Sequence, residues 1–176
     1  MSLRHAVLGL LSNGPASGYD LLKVFEISLA NVWPATQSQL YAELGRMADV
    51  GLVEVAAEGP RGRKEYAITD EGMAELRHWM AEVPPDRPRR NDMLLRVFFL
   101  GLLEPQQAID FLRRQAEFAA ERHKGLVALQ DEVQGDDPLS IYGRFALEWG
   151  LRFTTASQEW AKWAEDELKA VHKPEV

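Results

Sequence analysis

Residues 51–72 read Gly51-Leu52-Val53-Glu54-Val55-Ala56-Ala57-Glu58-Gly59-Pro60-Arg61-Gly62-Arg63-Lys64-Glu65-Tyr66-Ala67-Ile68-Thr69-Asp70-Glu71-Gly72. Val53 and Val55 point one way in a first short stretch, and Tyr66 and Ile68 do so in a second. Alternation of this kind on both sides of Gly59-Pro60-Arg61-Gly62 predicts a β-hairpin. Its tip concentrates three cations in four positions, Arg61, Arg63 and Lys64. Asp70 then opens a helix through Leu76, Trp79 and Met80, which ends at the prolines that follow Val83.

Upstream of the hairpin the spacing turns helical. Leu3, Ala6, Val7, Leu10 and Leu11 form an amphipathic stripe that Asn13-Gly14-Pro15 ends. Ser17 caps a second helix, with Asp20 three residues on, and Leu21, Leu22, Phe25 and Leu29 supply its buried face. After Pro34, Thr36-Gln37-Ser38-Gln39 is a capping box for a third helix. That helix buries Leu40, Leu44 and Met47 and stops at Gly51, where a left-handed residue is wanted. Helix, helix, helix, strand, basic turn, strand, helix is the order of a winged helix-turn-helix domain with a two-stranded wing.

Three prolines in five residues, Pro84, Pro85 and Pro88, mark residues 84–91 as a linker. The expected division is a winged helix-turn-helix domain over 1–83 and an all-α domain over 92–176, which makes the fold mainly α. Asp92 caps a helix through Leu102, and Pro105 is the first residue of the next. Ile109, Leu112, Ala116, Ala119, His123, Leu126 and Val133 keep its apolar face. Gly135-Asp136-Asp137-Pro138 turns the chain into a last helix with Phe145, Trp149, Phe153, Ala156, Trp160 and Trp163 along its seam. Two antiparallel helices this long cannot bury two apolar faces against one small domain, so a partner helix set, and hence a homodimer, is expected.

The 176 residues are 46% hydrophobic and 27% charged, which excludes a disordered chain. No cysteine is present, so disulfides, thiolate catalysis and cysteine-bound zinc are excluded. The apolar run from Met93 to Leu103 is too short to span a bilayer and is broken by Arg96 and Gly101. With no signal-peptide pattern at the N-terminus, a soluble cytoplasmic protein is expected. The glycines at 59 and 62 lack the spacing of a phosphate loop, and neither a nucleophile elbow nor a metal helix occurs. His5, His78, His123 and His172 lie far apart in the sequence. No enzyme activity, cofactor or metal is expected.

Net charge is −7, so any attraction for nucleic acid must come from a local patch. Residues 1–83 hold seven cations against eleven anions, which leaves the wing as the place where positive charge gathers. Arg61, Arg63 and Lys64 are candidate DNA contacts. In a helix-turn-helix the first residues of the second helix of the motif enter the major groove. Gln37, Ser38 and Tyr41 lie off the Leu40/Leu44/Met47 face and, with Thr36 and Gln39 of the capping box, are the further candidate DNA contacts. Glutamine pairs bidentately with adenine, and hydroxyls serve phosphates or bases. The same residues also fit a plain solvated helix face and a charge-protected hairpin tip. Phe145, Trp149, Phe153, Trp160 and Trp163 fit packing at a dimer interface, and also the lining of a pocket for a small planar effector.

The stretches Ala6-Val7-Leu8-Gly9-Leu10-Leu11, Gly14-Pro15-Ala16-Ser17-Gly18-Tyr19-Asp20-Leu21 and Trp33-Pro34-Ala35-Thr36-Gln37-Ser38-Gln39-Leu40-Tyr41 carry a resemblance, as do Gly51-Leu52-Val53 and residues 62–72. Together they resemble the PadR family of bacterial transcriptional regulators. Asp92-Met93-Leu94-Leu95-Arg96-Val97-Phe98-Phe99 is similar to the longer-tailed branch, whose helical C-terminal domain forms the dimer. The resemblance implies a homodimeric winged-helix repressor, released from DNA by a small molecule or other signal. It maps the DNA-reading helix onto Thr36 to Val50 and the wing onto Gly59 to Lys64. The expectation is a DNA-binding regulator on a palindromic operator; a winged-helix protein-interaction adaptor that does not bind DNA specifically is the alternative.

Overall fold

Val7, Leu8 and Leu11 are sealed from solvent at the centre of the first half of the chain, because helix α1 (Ser2–Leu11) places them on one face. A computed structural model describes residues 2–29, 32–86, 90–131 and 133–171, with the side chains of residues 2, 27, 28 and 61 left outside. Positions 87–89 of the expected linker therefore lie outside the described residues. The chain divides into two compact units, Met1–Asp86 and Arg87–Val176.

In the first unit, α2 (Gly18–Ser28) adds Leu21 and Phe25 to the core, and α3 (Gln37–Asp49) adds Leu40, Leu44 and Met47. Burying each such side chain contributes roughly 1.5–3 kcal/mol. Gly51, at φ +74°, takes the left-handed turn expected after α3. Strands β2 (Val53–Glu58) and β3 (Lys64–Ile68) pair antiparallel, with Val53 opposite Ile68 and Val55 opposite Tyr66. Helix α4 (Asp70–Glu82) follows, opening at Asp70 as expected, with Thr69 as its cap.

A third strand, β1 (Ala16–Ser17), joins the other edge of β3 and extends the two-stranded wing to a sheet of order β1-β3-β2. Two residues are too few to alternate, so the sequence pattern does not announce it. Gly72 lets α4 lie against the start of the wing. A Cβ there would stand 2.1 Å from the Leu52 carbonyl oxygen, inside van der Waals contact.

Polar ties complete this unit. The buried Glu43 of α3 accepts from Arg4 of α1 at 3.3 Å and from Arg46 one turn on. His5 stacks on Trp79 at 4.4 Å between ring centroids and meets Glu75 at 3.2 Å, joining α1 to α4.

In the second unit, the expected helix from Asp92 to Leu102 is shorter and differently capped. Asn91 caps α5 (Asp92–Val97) by accepting from the Leu94 amide at 3.0 Å. The Phe99 amide then bonds to Arg96 three residues back, and Leu100–Leu102 form a 3₁₀ turn around Gly101, a poor helix former. Helix α6 (Pro105–Ala128) also ends before Val133, since Leu129 and Gln130 bond three residues back instead of four.

Helix α7 (Pro138–Val171) returns beside α6. Arg113 bonds Glu165, His123 bonds Thr154, and Arg144 bonds the Val133 carbonyl. One number rises as the other falls by a like amount, which is the signature of an antiparallel hairpin. Leu112, Ala119 and Leu126 of α6 and Thr154 and Ala161 of α7 fill the seam. Gly150 allows close approach there, because a Cβ at that position would stand 2.9 Å from Leu126. Lys169 and then Arg113 hold the Glu165 carboxyl below its ordinary range, against a partial opposing effect of burial. Among the described residues no helix is long and apolar enough to cross a membrane.

Candidate nucleic-acid interface

The capping box predicted for α3 is formed. The Thr36 hydroxyl accepts from the Gln39 amide at 3.3 Å, and the Gln39 side chain accepts from the Thr36 amide at 2.9 Å. Both side chains are thereby engaged in fixing the helix start. Gln37 and Ser38 stand exposed beside them; Ser38 lies opposite the face that buries Leu40, Leu44 and Met47, and Gln37 lies at the N-terminal edge of that face. Tyr41 sits one turn on with its ring against Gly18 at the start of α2, where a Cβ would lie 2.5 Å from Cε1. Only glycine at 18 leaves Tyr41 in this place.

The wing tip is a 3₁₀ turn over Pro60–Gly62, closed by the Gly59 amide donating to the Arg63 carbonyl at 2.7 Å. Gly62 has φ +78°, a conformation that side-chain-bearing residues resist. Lys64 is exposed and enters none of the ion pairs among the described residues. The Arg61 side chain lies outside the description.

Arg63 is engaged. Its Nη2 donates to Asp20 Oδ2 at 2.8 Å and lies 3.8 Å from Glu65 Oε1. The same Asp20 oxygen accepts from the Ser17 hydroxyl at 2.6 Å. The Ser17 hydroxyl bond above all, with help from Arg63, holds the Asp20 carboxyl below its ordinary range against the opposing effect of desolvation.

These parts enclose an open cleft of about 410 Å³ lined by Ser17, Tyr19, Tyr41, Arg63, Lys64 and Tyr66, among others. Lys23 adds a further cation, its Nζ 4.7 Å from the centre of the Tyr19 ring. The geometry therefore brings the wing together with the starts of α2 and α3. Arg46, the only cation on α3, is instead turned back onto Glu43. The i, i+3 spacing of that pair is visible in the sequence. The Asp20–Arg63 contact, 43 positions apart, has no such local signal.

On the second unit, Phe145, Trp149, Phe153 and Trp163 stand exposed along α7, Trp149 by 72%, while Trp160 is half-buried. The aromatic seam faces away from α6. Leu95, Phe98, Phe99 and Leu102 of the same unit are exposed as well, Phe98 by 85%.

A helical core, a hairpin wing and a reading-type helix with a polar outer start define a winged helix-turn-helix domain, here followed by a helical hairpin unit. Residues 7–78 match the model of the transcriptional regulator PadR-like family, and residues 89–169 match that of the virulence activator alpha C-terminal domain. Residues 7–78 therefore form a domain of the PadR-like family of transcriptional regulators. The negative transcriptional regulator PadR of Bacillus subtilis is 33% identical over 119 residues, a match that takes in 65% of this chain and 65% of that protein. Crystal structures of Bacillus subtilis PadR with operator DNA and with p-coumaric acid are similar at TM-scores of 0.80 and 0.83. Each is 25% identical and covers 96% of this chain and 99% of the other. The family is one of regulators rather than enzymes.

Proposed function

We propose that the protein is a sequence-specific DNA-binding regulator, a cytoplasmic repressor that holds a palindromic operator as a homodimer. The observation that carries this reading is the exposed pair Gln37 and Ser38 at the start of α3, beside the cleft that the wing cations share. A neutral helix start reads base edges, while wing cations meet phosphates and hold the register. In a dimer the two starts would meet half-sites about one helical turn of DNA apart, or a multiple of it. The Bacillus subtilis relative crystallised with operator DNA supports the same assignment.

Selection of bound duplexes from a random pool tests this directly. A palindromic consensus is expected. Gln37→Ala and Ser38→Ala should each relax preference at one or two positions, by roughly 1–3 kcal/mol where the contact is bidentate, with the salt dependence unchanged. A protein without preference among duplexes would overturn the reading in favour of the adaptor.

Release by a small planar molecule is part of the proposal. It is supported by the p-coumaric acid complex of the relative and by the aromatic side chains of α7. An aromatic acid, p-coumaric acid first, should quench tryptophan fluorescence and lower DNA affinity. DNA should lower the affinity for the acid by the same factor. Quenching with unchanged DNA affinity would remove the effector from the mechanism.

A further inference from the structure

Nonspecific attraction between a protein and DNA scales with the number of phosphates its cations neutralise. The wing therefore presents a problem for a selective regulator, since every exposed arginine on it attracts all duplexes alike. Arg63 is placed so as not to do this. Its Nη2 is committed to Asp20 Oδ2 at 2.8 Å, with Glu65 Oε1 at 3.8 Å on its other side. Asp20 is itself held in place, because the same oxygen takes the Ser17 hydroxyl bond and Ser17 is fixed opposite Glu65 in the β1–β3 ladder. The pair is half-exposed, so it can exchange carboxylate for phosphate when a backbone is correctly presented.

We propose that Asp20 is a specificity-determining positioning residue that withholds Arg63 from DNA phosphates, lowering affinity for unrelated duplexes more than for a properly seated operator. This rests on the DNA-binding reading above. Two features of the geometry favour a withholding role over a purely local one. Ser17 caps α2 by accepting from the Asp20 amide, a bond that does not need the Asp20 carboxylate. Besides taking the Ser17 hydroxyl bond, the carboxylate reaches 43 positions along the chain to a side chain on the wall of the cleft. With Arg46 similarly turned onto Glu43, the surface that would face DNA keeps two of its arginines paired.

The test uses the full chain, a random-sequence duplex and the selected operator, over a series of salt concentrations. Asp20→Asn keeps the size of the side chain and removes its charge; Asp20→Ser serves as a second variant if the asparagine protein does not fold. One freed cation should steepen the log–log salt slope by about 0.9 per reading head and tighten random-duplex binding about fivefold per head at 0.15 M salt. The operator should gain less, so discrimination falls. Arg63→Ala combined with Asp20→Asn should cancel the gain.

A gain that persists in the double variant would mean simple repulsion of DNA by Asp20 and would overturn the latch. So would an Asp20 variant with unchanged slope and affinity while the unmodified protein binds DNA. If no variant and no unmodified protein binds any duplex even at low salt, the DNA-binding reading itself falls, and the latch with it.

Discussion

Trp149→Asp is expected to turn the protein from a dimer into monomers, or into a chain that no longer folds, as read by sedimentation at micromolar concentration. Trp149 is 72% exposed on a single chain, with Phe145 and Phe153 one turn to either side and Trp163 further along α7. Tyr142 extends the strip, edge-on to Phe145 at 5.7 Å between ring centroids. Apolar patches of this extent on soluble proteins mark interaction surfaces. Burying each large side chain against a second copy would contribute roughly 1.5–3 kcal/mol, so several together should resist dilution. An aspartate in the middle would be desolvated without a partner, which costs several kcal/mol. Arg152→Ala is the control, since Arg152 pairs with Glu148 on the exposed surface of the same helix. A stable monomer of the unmodified protein at micromolar concentration would overturn the dimer.

Local signals made most of the first unit legible. The capping box at Thr36 and Gln39, the left-handed Gly51 and the alternation of Val53 with Val55 and of Tyr66 with Ile68 each depend on residues within a few positions of one another. Interactions that depend on where the chain returns were not legible. Strand β1 is too short to show a period, and Glu43 is charged yet buried because Arg4 arrives from α1. The aromatic residues of α7 could be read as apolar and evenly spaced. Spacing alone, however, does not say which face of a helix its neighbour in the same chain will take; Gly150, Thr154 and Ala161 took it. The same limit hid the pairing of Arg63 from a reading that counted it simply as wing charge.

That pairing sharpens what the wing should do. Replacing Arg61, Arg63 and Lys64 together by alanine is expected to weaken binding to operator and unrelated DNA alike, and to flatten the salt dependence. If Asp20 withholds Arg63, two cations per wing and four per dimer meet the phosphates of an unrelated duplex. The slope should then fall by about 3.6, and affinity at 0.15 M salt by about a thousandfold. If Arg63 contributes as well, six cations act and the slope falls by about 5. Comparing the triple variant with Arg61→Ala plus Lys64→Ala on unrelated DNA separates these cases, because withholding makes the two variants nearly alike there. Base preference should survive in both, since phosphate contacts carry little sequence information and Gln37 and Ser38 remain. A wing variant with full affinity and an unchanged slope would reduce the wing to a charged hairpin. DNA recognition would then have to reside in α3 alone, whose one cation is already held by Glu43.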